Sequence, residues 1–264
     1  LVKRDDMDIN RIIHIAANAG RIILQSGGET YRVEETILRI CNAFGINNAD
    51  SFVTPTGIML SAADEYGQTI SLVKRIHFRT VDLEKISKVN DLSRNIKNQG
   101  YTLEYVEHEL DKIESLKKYS LRTILISSCF GAAFFTLLFG GNIKDFFASF
   151  IIGGIIKYVT TVLNRVNIND FFINIVGGSV ASLLAIFFVY IRLGAHIDKI
   201  IIGSIMLLVP GLAITNAIRD TISGDLVAGI SRAVEAFLIA AAIAIGSGLI
   251  LRLWFIYSGG RFTW

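Results

Sequence analysis

Cysteine is too scarce in this chain to build a disulfide framework: Cys41 and Cys129 are the only two among 264 residues. Cys41 falls on the apolar stripe of an expected helix, where a small buried hydrophobe is the simplest reading. Strong net charge is missing too. At +3, and with no basic cluster beyond Lys117-Lys118-Arg122, nothing suits the chain to nucleic acid. No secretory signal opens it, because the first apolar run is interrupted by Arg11, His14 and Arg21. The sequence starts at Leu1, which fits an alternative start or a trimmed terminus. Catalytic spacing is also lacking. Ser26, Thr54, Thr56, His14, His77 and His108 form no nucleophile motif, and Gly27-Gly28 lacks the rest of a phosphate loop. No enzyme, cofactor or metal site is therefore expected.

Apolar residues are plentiful instead, at 52%, with a mean hydropathy of +0.52, too apolar for an ordinary soluble protein. Charge is unevenly placed. Residues 1–118 hold 16 of the 26 Lys/Arg and 17 of the 23 Asp/Glu. Two domains follow: a cytosolic α+β domain over 1–118 and a transmembrane domain over 119–264. In the first, Ile9, Ile12, Ile13, Ala16, Ala19, Ile22 and Ile23 recur at helical spacing. Ser26-Gly27-Gly28-Glu29 fits a capping box opening a second helix, striped by Val33, Ile37, Ile40, Cys41 and Phe44 and ended by Gly45. Three strands are expected over Ser51–Thr54, Gly57–Ala63 and Gln68–Ile76, with a turn at Asp64-Glu65-Tyr66-Gly67. Two amphipathic helices follow, on Leu83, Ile86, Val89, Leu92 and Ile96 and on Leu103, Val106, Leu110 and Ile113. The charged residues Arg32, Glu34 and Glu35 read most simply as a solvated helix face.

Five segments of the second domain are apolar enough to cross a bilayer: Thr123–Gly140, Phe146–Leu163, Phe171–Ile191, Ile200–Ile218 and Val227–Trp254. Tyr119, Trp254 and Tyr257 sit near span ends, as interfacial aromatics do, and Lys112, Lys117, Lys118 and Arg122 before the first span place the N-terminal domain in the cytoplasm. Small residues four apart, at Ser149/Gly153, Gly178/Ser182 and Ala242/Gly246, permit close helix contact.

The fourth span is broken. Pro210-Gly211 lies at its middle, and the proline frees the carbonyl of Met206. Such a break survives only when packed in protein or lining a watery cavity, and secondary transporters tend to bind substrate at such breaks. The span exits through Thr215, Asn216, Arg219 and Asp220, with Asp225 and Arg232 close behind. Lys157 and Glu235 are further charges within spans, and Asn174 is an amide in the third. Arg232 and Glu235, three apart, share a helix face. The plain alternative is that Arg219, Asp220, Asp225 and Arg232 form an interfacial charge network.

Three separated segments resemble a known family. They are Ser26-Gly27-Gly28-Glu29-Thr30-Tyr31-Arg32-Val33-Glu34-Glu35, Phe52-Val53-Thr54-Pro55-Thr56-Gly57-Ile58, and Leu207 to Gly211 with Thr215 to Asp220, Ser223-Gly224-Asp225 and Arg232. Together they are similar to the threonine/serine exporter family, and more narrowly to its N-terminal unit in the split, two-component arrangement shared with dicarboxylate (succinate) exporter subunits. The resemblance implies proton-driven export of threonine, serine or a C4 dicarboxylate across the bacterial cytoplasmic (inner) membrane, with a second small membrane subunit supplying the other half. Substrate binding is then expected at Pro210, Gly211, Thr215, Asn216, Arg219 and Lys157. Proton coupling is expected at Asp220, with Asp225 and Glu235 in reserve. Oligomerisation of the chain with itself stays open. The rival readings are a membrane-anchored metabolite sensor or scaffold without transport of its own and, more weakly, a membrane-tethered hydrolase.

Overall fold

The computed structural model describes residues 2–63, 69–117, 119–166 and 168–258. The expected turn at Asp64-Glu65-Tyr66-Gly67 and the anchor residue Lys118 lie outside them. By its contacts the chain divides into two compact units, Leu1–Lys117 with Leu212–Ala233 and Lys118–Gly211 with Val234–Trp264.

The first unit follows the expected order of two helices, three strands and two helices. Helix α1 (Val2–Gln25) buries Ile12, Ile13, Ala16, Ala19, Ile22 and Ile23 along one stripe. It stops at a paired-glycine cap. The Gly28 N–H reaches the Ile23 carbonyl at 3.0 Å and the Gly27 N–H the Leu24 carbonyl at 3.2 Å, with Gly27 at φ +91°. This is a Schellman closure, which needs a residue that tolerates the left-handed region. Here the expectation of a capping box is corrected. Ser26 closes α1 rather than opening α2 (Thr30–Ala43), whose N-cap is Glu29 without any side-chain cap bond. Gly45, at φ +88°, ends α2 as expected.

Strands β1 (Ala49–Thr54), β2 (Gly57–Ala63) and β3 (Thr69–Arg75) form an antiparallel sheet in that order, with Val53 opposite Ile58 and Leu60 opposite Leu72. Alternation along β2 buries Ile58, Leu60 and Ala62. Helix α3 (Leu83–Gln99) is capped by Asp82, and α4 (Leu103–Glu114) by Thr102. Ile13, Ile23, Ile37, Ile40, Ile58, Leu60, Ile96 and Leu110 share one core. Cys41 lies within it, its thiol pushed up to about 11 by burial, so it is an inert core side chain.

The second unit is built on α5 (Leu121–Leu138), α6 (Ile143–Arg165), α7 (Asp170–Tyr190) and α8 (Ile197–Ile205), with α10 (Leu226–Tyr257) from Val234 onward. Its core joins Ala148, Ile152, Ile156, Ala181, Ala185, Phe188 and Ile200. Glycines permit close backbone approach here. A Cβ on Gly178 would stand 2.6 Å from the Ile243 carbonyl, and Ser247 donates to the Gly178 carbonyl at 3.2 Å. Asn142 and Asp145 form a capping box on α6. Asp145 also accepts the Ala195 and His196 N–H groups at 2.7 and 3.0 Å, and lies 2.8 Å from His196 Nδ1, which ties the start of α8 to α6.

Among the described residues, α5, α6, α7 and α10 are long and apolar enough to cross a membrane. The expected fourth span is divided into α8, of 9 residues, and α9 (Gly211–Ile222), of 12. The helix gives way after Ile205, whose carbonyl receives the N–H groups of Leu208 and Val209. The division between the two units falls directly after Gly211.

Candidate functional site

Within the first unit, the turn between α1 and α2 meets the polar residues that follow the break. The turn is shaped by its glycines. Besides the positive φ of Gly27, a Cβ on Gly28 would come within 2.4 Å of Ile23 Cγ2 and 3.1 Å of the Ile23 carbonyl. Closed this way, the turn presents the carbonyls of Gly27 and Gly28 and the unsatisfied N–H of Thr30 in the first turn of α2.

Helices α9 and α10 answer these groups between them. Asn216 and Asp220, four residues apart, lie on its buried face. The Asn216 amide donates to the Gly27 carbonyl at 2.8 Å, and Asp220 Oδ1 accepts the Thr30 N–H at 3.2 Å. From α10, Arg232 Nη2 donates to the Gly28 carbonyl at 2.8 Å, while its Nε pairs with Asp220 Oδ2 at 2.9 Å. Asn216, Asp220 and Arg232 are 1%, 0% and 4% exposed, so an ion pair with its surrounding hydrogen bonds is sealed from solvent. Between the two helices, Asp225 Oδ2 accepts the Thr30 hydroxyl at 3.4 Å. Arg219 reaches Glu29 at 2.5 Å, and Glu29 also pairs with Arg32 Nε at 3.0 Å. Burial works against the Glu29 carboxylate, but its own backbone N–H, Arg219 and Arg32 together hold it below the usual range.

Glu34 completes the acidic side of the site. Its Oε1 accepts the Val53 N–H at 2.8 Å, which joins α2 to β1. Burial raises its pKa, and the nearby charges of Asp225 and Asp220 raise it further, against the opposing Val53 bond. The expected solvated face thus holds for exposed Glu35, paired with Arg39, and not for Glu34, which is half-buried and engaged. A carboxyl raised on folding binds its proton more tightly in the folded state. It therefore adds stability as pH falls, and that contribution fades as pH rises through the folded-state pKa. Glu34→Gln mimics the protonated form and keeps an acceptor for Val53. It is expected to flatten the dependence of the melting midpoint on pH between about pH 4 and 7. An unchanged slope in scanning fluorimetry would place the pH dependence elsewhere.

The profile of a family described as "Putative threonine/serine exporter" matches residues 14–254. The chain belongs to this family. A "Probable threonine/serine exporter" of Mycobacterium tuberculosis is 21% identical over 94% of the chain and 47% of its own length. A "Threonine/serine exporter" of Corynebacterium glutamicum is 25% identical over 94% of the chain and 52% of its own length. The chain therefore spans about half of these two exporters. A "Probable succinate transporter subunit" of Escherichia coli is 22% identical over 92% of the chain and 94% of its own length. No solved structure matches.

In this exporter-family chain the structure gathers Asn216, Arg219, Asp220, Asp225 and Arg232 into one network with Gly27, Gly28, Glu29 and Thr30. Thr215 is exposed on α9. Pro210 closes the link between α8 and α9, and Gly211 is the first residue of α9. Lys157, on α6, and Glu235, on α10, belong to the other unit. Sequence reasoning missed the partnership between the glycine turn and α9. The available signal was Gly-Gly between two helical stripes, which marks the end of one helix as readily as the start of the next.

Proposed function

We propose that this chain is one half of a proton-coupled exporter of small metabolites, most simply threonine and serine or a C4 dicarboxylate such as succinate. It works in the cell membrane beside a second membrane subunit. In this reading α8 and α9 together form a fifth, broken span, and the N-terminal domain faces the cytoplasm. The match to about half of the threonine/serine exporters and to nearly all of a succinate transporter subunit supports the split arrangement.

One observation carries the coupling: Asp220, without exposed surface, is paired with Arg232 just beyond the helix break. A carboxylate in that setting changes its interactions sharply when it gains a proton, as a coupling group must. Asn216 and Arg219, on the same helix, are assigned to substrate. Their bonds to Gly27 and Glu29 are then contacts a substrate carboxylate replaces.

The test is efflux of labelled threonine, serine and succinate from cells lacking their own exporters, with the chain expressed alone and with its partner subunit. Efflux of one substrate, dependent on the partner and collapsed by a protonophore, is expected. Saturable transport by the chain alone in liposomes would overturn the half-transporter reading. Absence of efflux with both proteins in the membrane would overturn the exporter reading.

A further inference from the structure

A groove runs along α2 and α3, outside the network just described. Near the start of α2 it opens a cavity of about 410 Å³ lined by Arg32, Ser87, Asn90, Asp91 and Arg94 over an apolar floor of Leu83 and Ile86. A second cavity of about 490 Å³ shares Arg94 and adds Arg39 and Lys97. Four cations thus line the groove, against Asp91 and Glu35.

Their partners set them apart. Arg39 is committed to Glu35 and to the Ser93 hydroxyl, whereas Arg94 has no ion pair among the described residues. The Asn90 carbonyl oxygen receives the Thr36 hydroxyl at 3.3 Å, which leaves its NH₂ as a donor at the cavity wall. Guanidinium groups with amide and hydroxyl donors over an apolar floor are the recognition chemistry of a small carboxylate, which arginine binds through two parallel N–H donors. Asp91, on the same wall, suits an ammonium group if the ligand carries one.

The groove is also connected to α9. Arg32 lines the cavity and pairs with Glu29 through Nε, and Glu29 in turn pairs with Arg219. An anion drawing on Arg32 competes with Glu29 for that cation, and the competition alters how firmly Glu29 holds Arg219. We propose that this groove is a regulatory binding site for a small carboxylate metabolite, held by Arg32 and Arg94, whose occupancy is relayed to α9 through Glu29 and Arg219. The relay rests on the exporter reading; the binding site does not.

The test is calorimetric titration of the full chain in detergent micelles with L-threonine, succinate and inorganic phosphate, beside the efflux assay. Binding of threonine or succinate in preference to phosphate is expected, weakened at least tenfold by Arg94→Ala with the thermal midpoint unchanged. Asp91→Asn is expected to weaken threonine and spare succinate if the ligand is an amino acid, and to tighten succinate if it is a dicarboxylate. Either pattern supports the site. Binding of none of the three, preference for phosphate, or equal binding by Arg94→Ala would overturn it. Titration that succeeds where efflux fails removes the exporter reading and leaves the groove. Efflux that succeeds where titration fails does the reverse.

Discussion

Asp220→Asn is expected to reduce proton-driven efflux to the level of cells without the protein, while exchange of labelled for unlabelled substrate across the membrane persists. The physical reason is that asparagine reproduces the shape of a permanently protonated carboxyl. Its side-chain oxygen still accepts the Thr30 N–H, so the join between the glycine turn and α9 is kept. What disappears is the ability to alternate between a charged form paired with Arg232 and a neutral form that is not. Net export driven by a pH gradient needs that alternation, and exchange at equal gradients does not. Asp225→Asn and Glu235→Gln serve as comparisons. Asp225 accepts the Thr30 hydroxyl at a longer 3.4 Å and is partly open to solvent, so its loss is expected to be milder. Full pH-driven efflux by Asp220→Asn, measured at matched membrane levels, would place the coupling group elsewhere.

Much of the fold was legible because periodicity reports burial. The stripes on α1 and α2, the alternation in β2 and the two helices after the sheet all fall where apolar spacing places them. The break in the fourth span was legible for a different reason: proline and glycine restrict or free the backbone whatever surrounds them. Yet proline marks the break rather than its full extent. The helix is already lost after Ile205, so the unwound stretch precedes Pro210.

The Ser26-to-Glu29 segment went the other way because Ser-x-x-Glu and Gly-Gly are competing signals in the same four residues. Between two adjacent helices, the left-handed requirement of a closing cap outweighs a serine cap worth about 1 kcal/mol. The site itself was legible only by half. That polar residues cluster after Pro210 is plain from the rarity of such groups in apolar surroundings. That they bind the glycine turn was not, because hydrogen bonds joining residues 189 to 204 positions apart leave no periodic trace.

The second large effect concerns how this join is held. Arg232→Ala is expected to lower the thermal midpoint of the protein in detergent micelles by about 10 °C, from the roughly 3–5 kcal/mol cost of breaking a buried ion pair on one side. The loss has two sources. Asp220 is left as a buried charge without the cation it pairs with, and the Gly28 carbonyl loses the Arg232 donor. Asp220→Asn alone leaves the mirror-image defect, because Arg232, with only 4% of its surface open to water, loses the carboxylate it pairs with. If the pair is held chiefly by mutual compensation, removing both charges in Asp220→Asn/Arg232→Met is expected to recover part of the loss, because neither charge is then stranded. The double variant should melt above Arg232→Ala and remain inactive in efflux, so stability and coupling part company in one protein. A double variant that melts as low as the sum of the single losses would show that the two residues act independently. The 2.9 Å contact would then be an incidental neighbour rather than the clasp between the turn and α9.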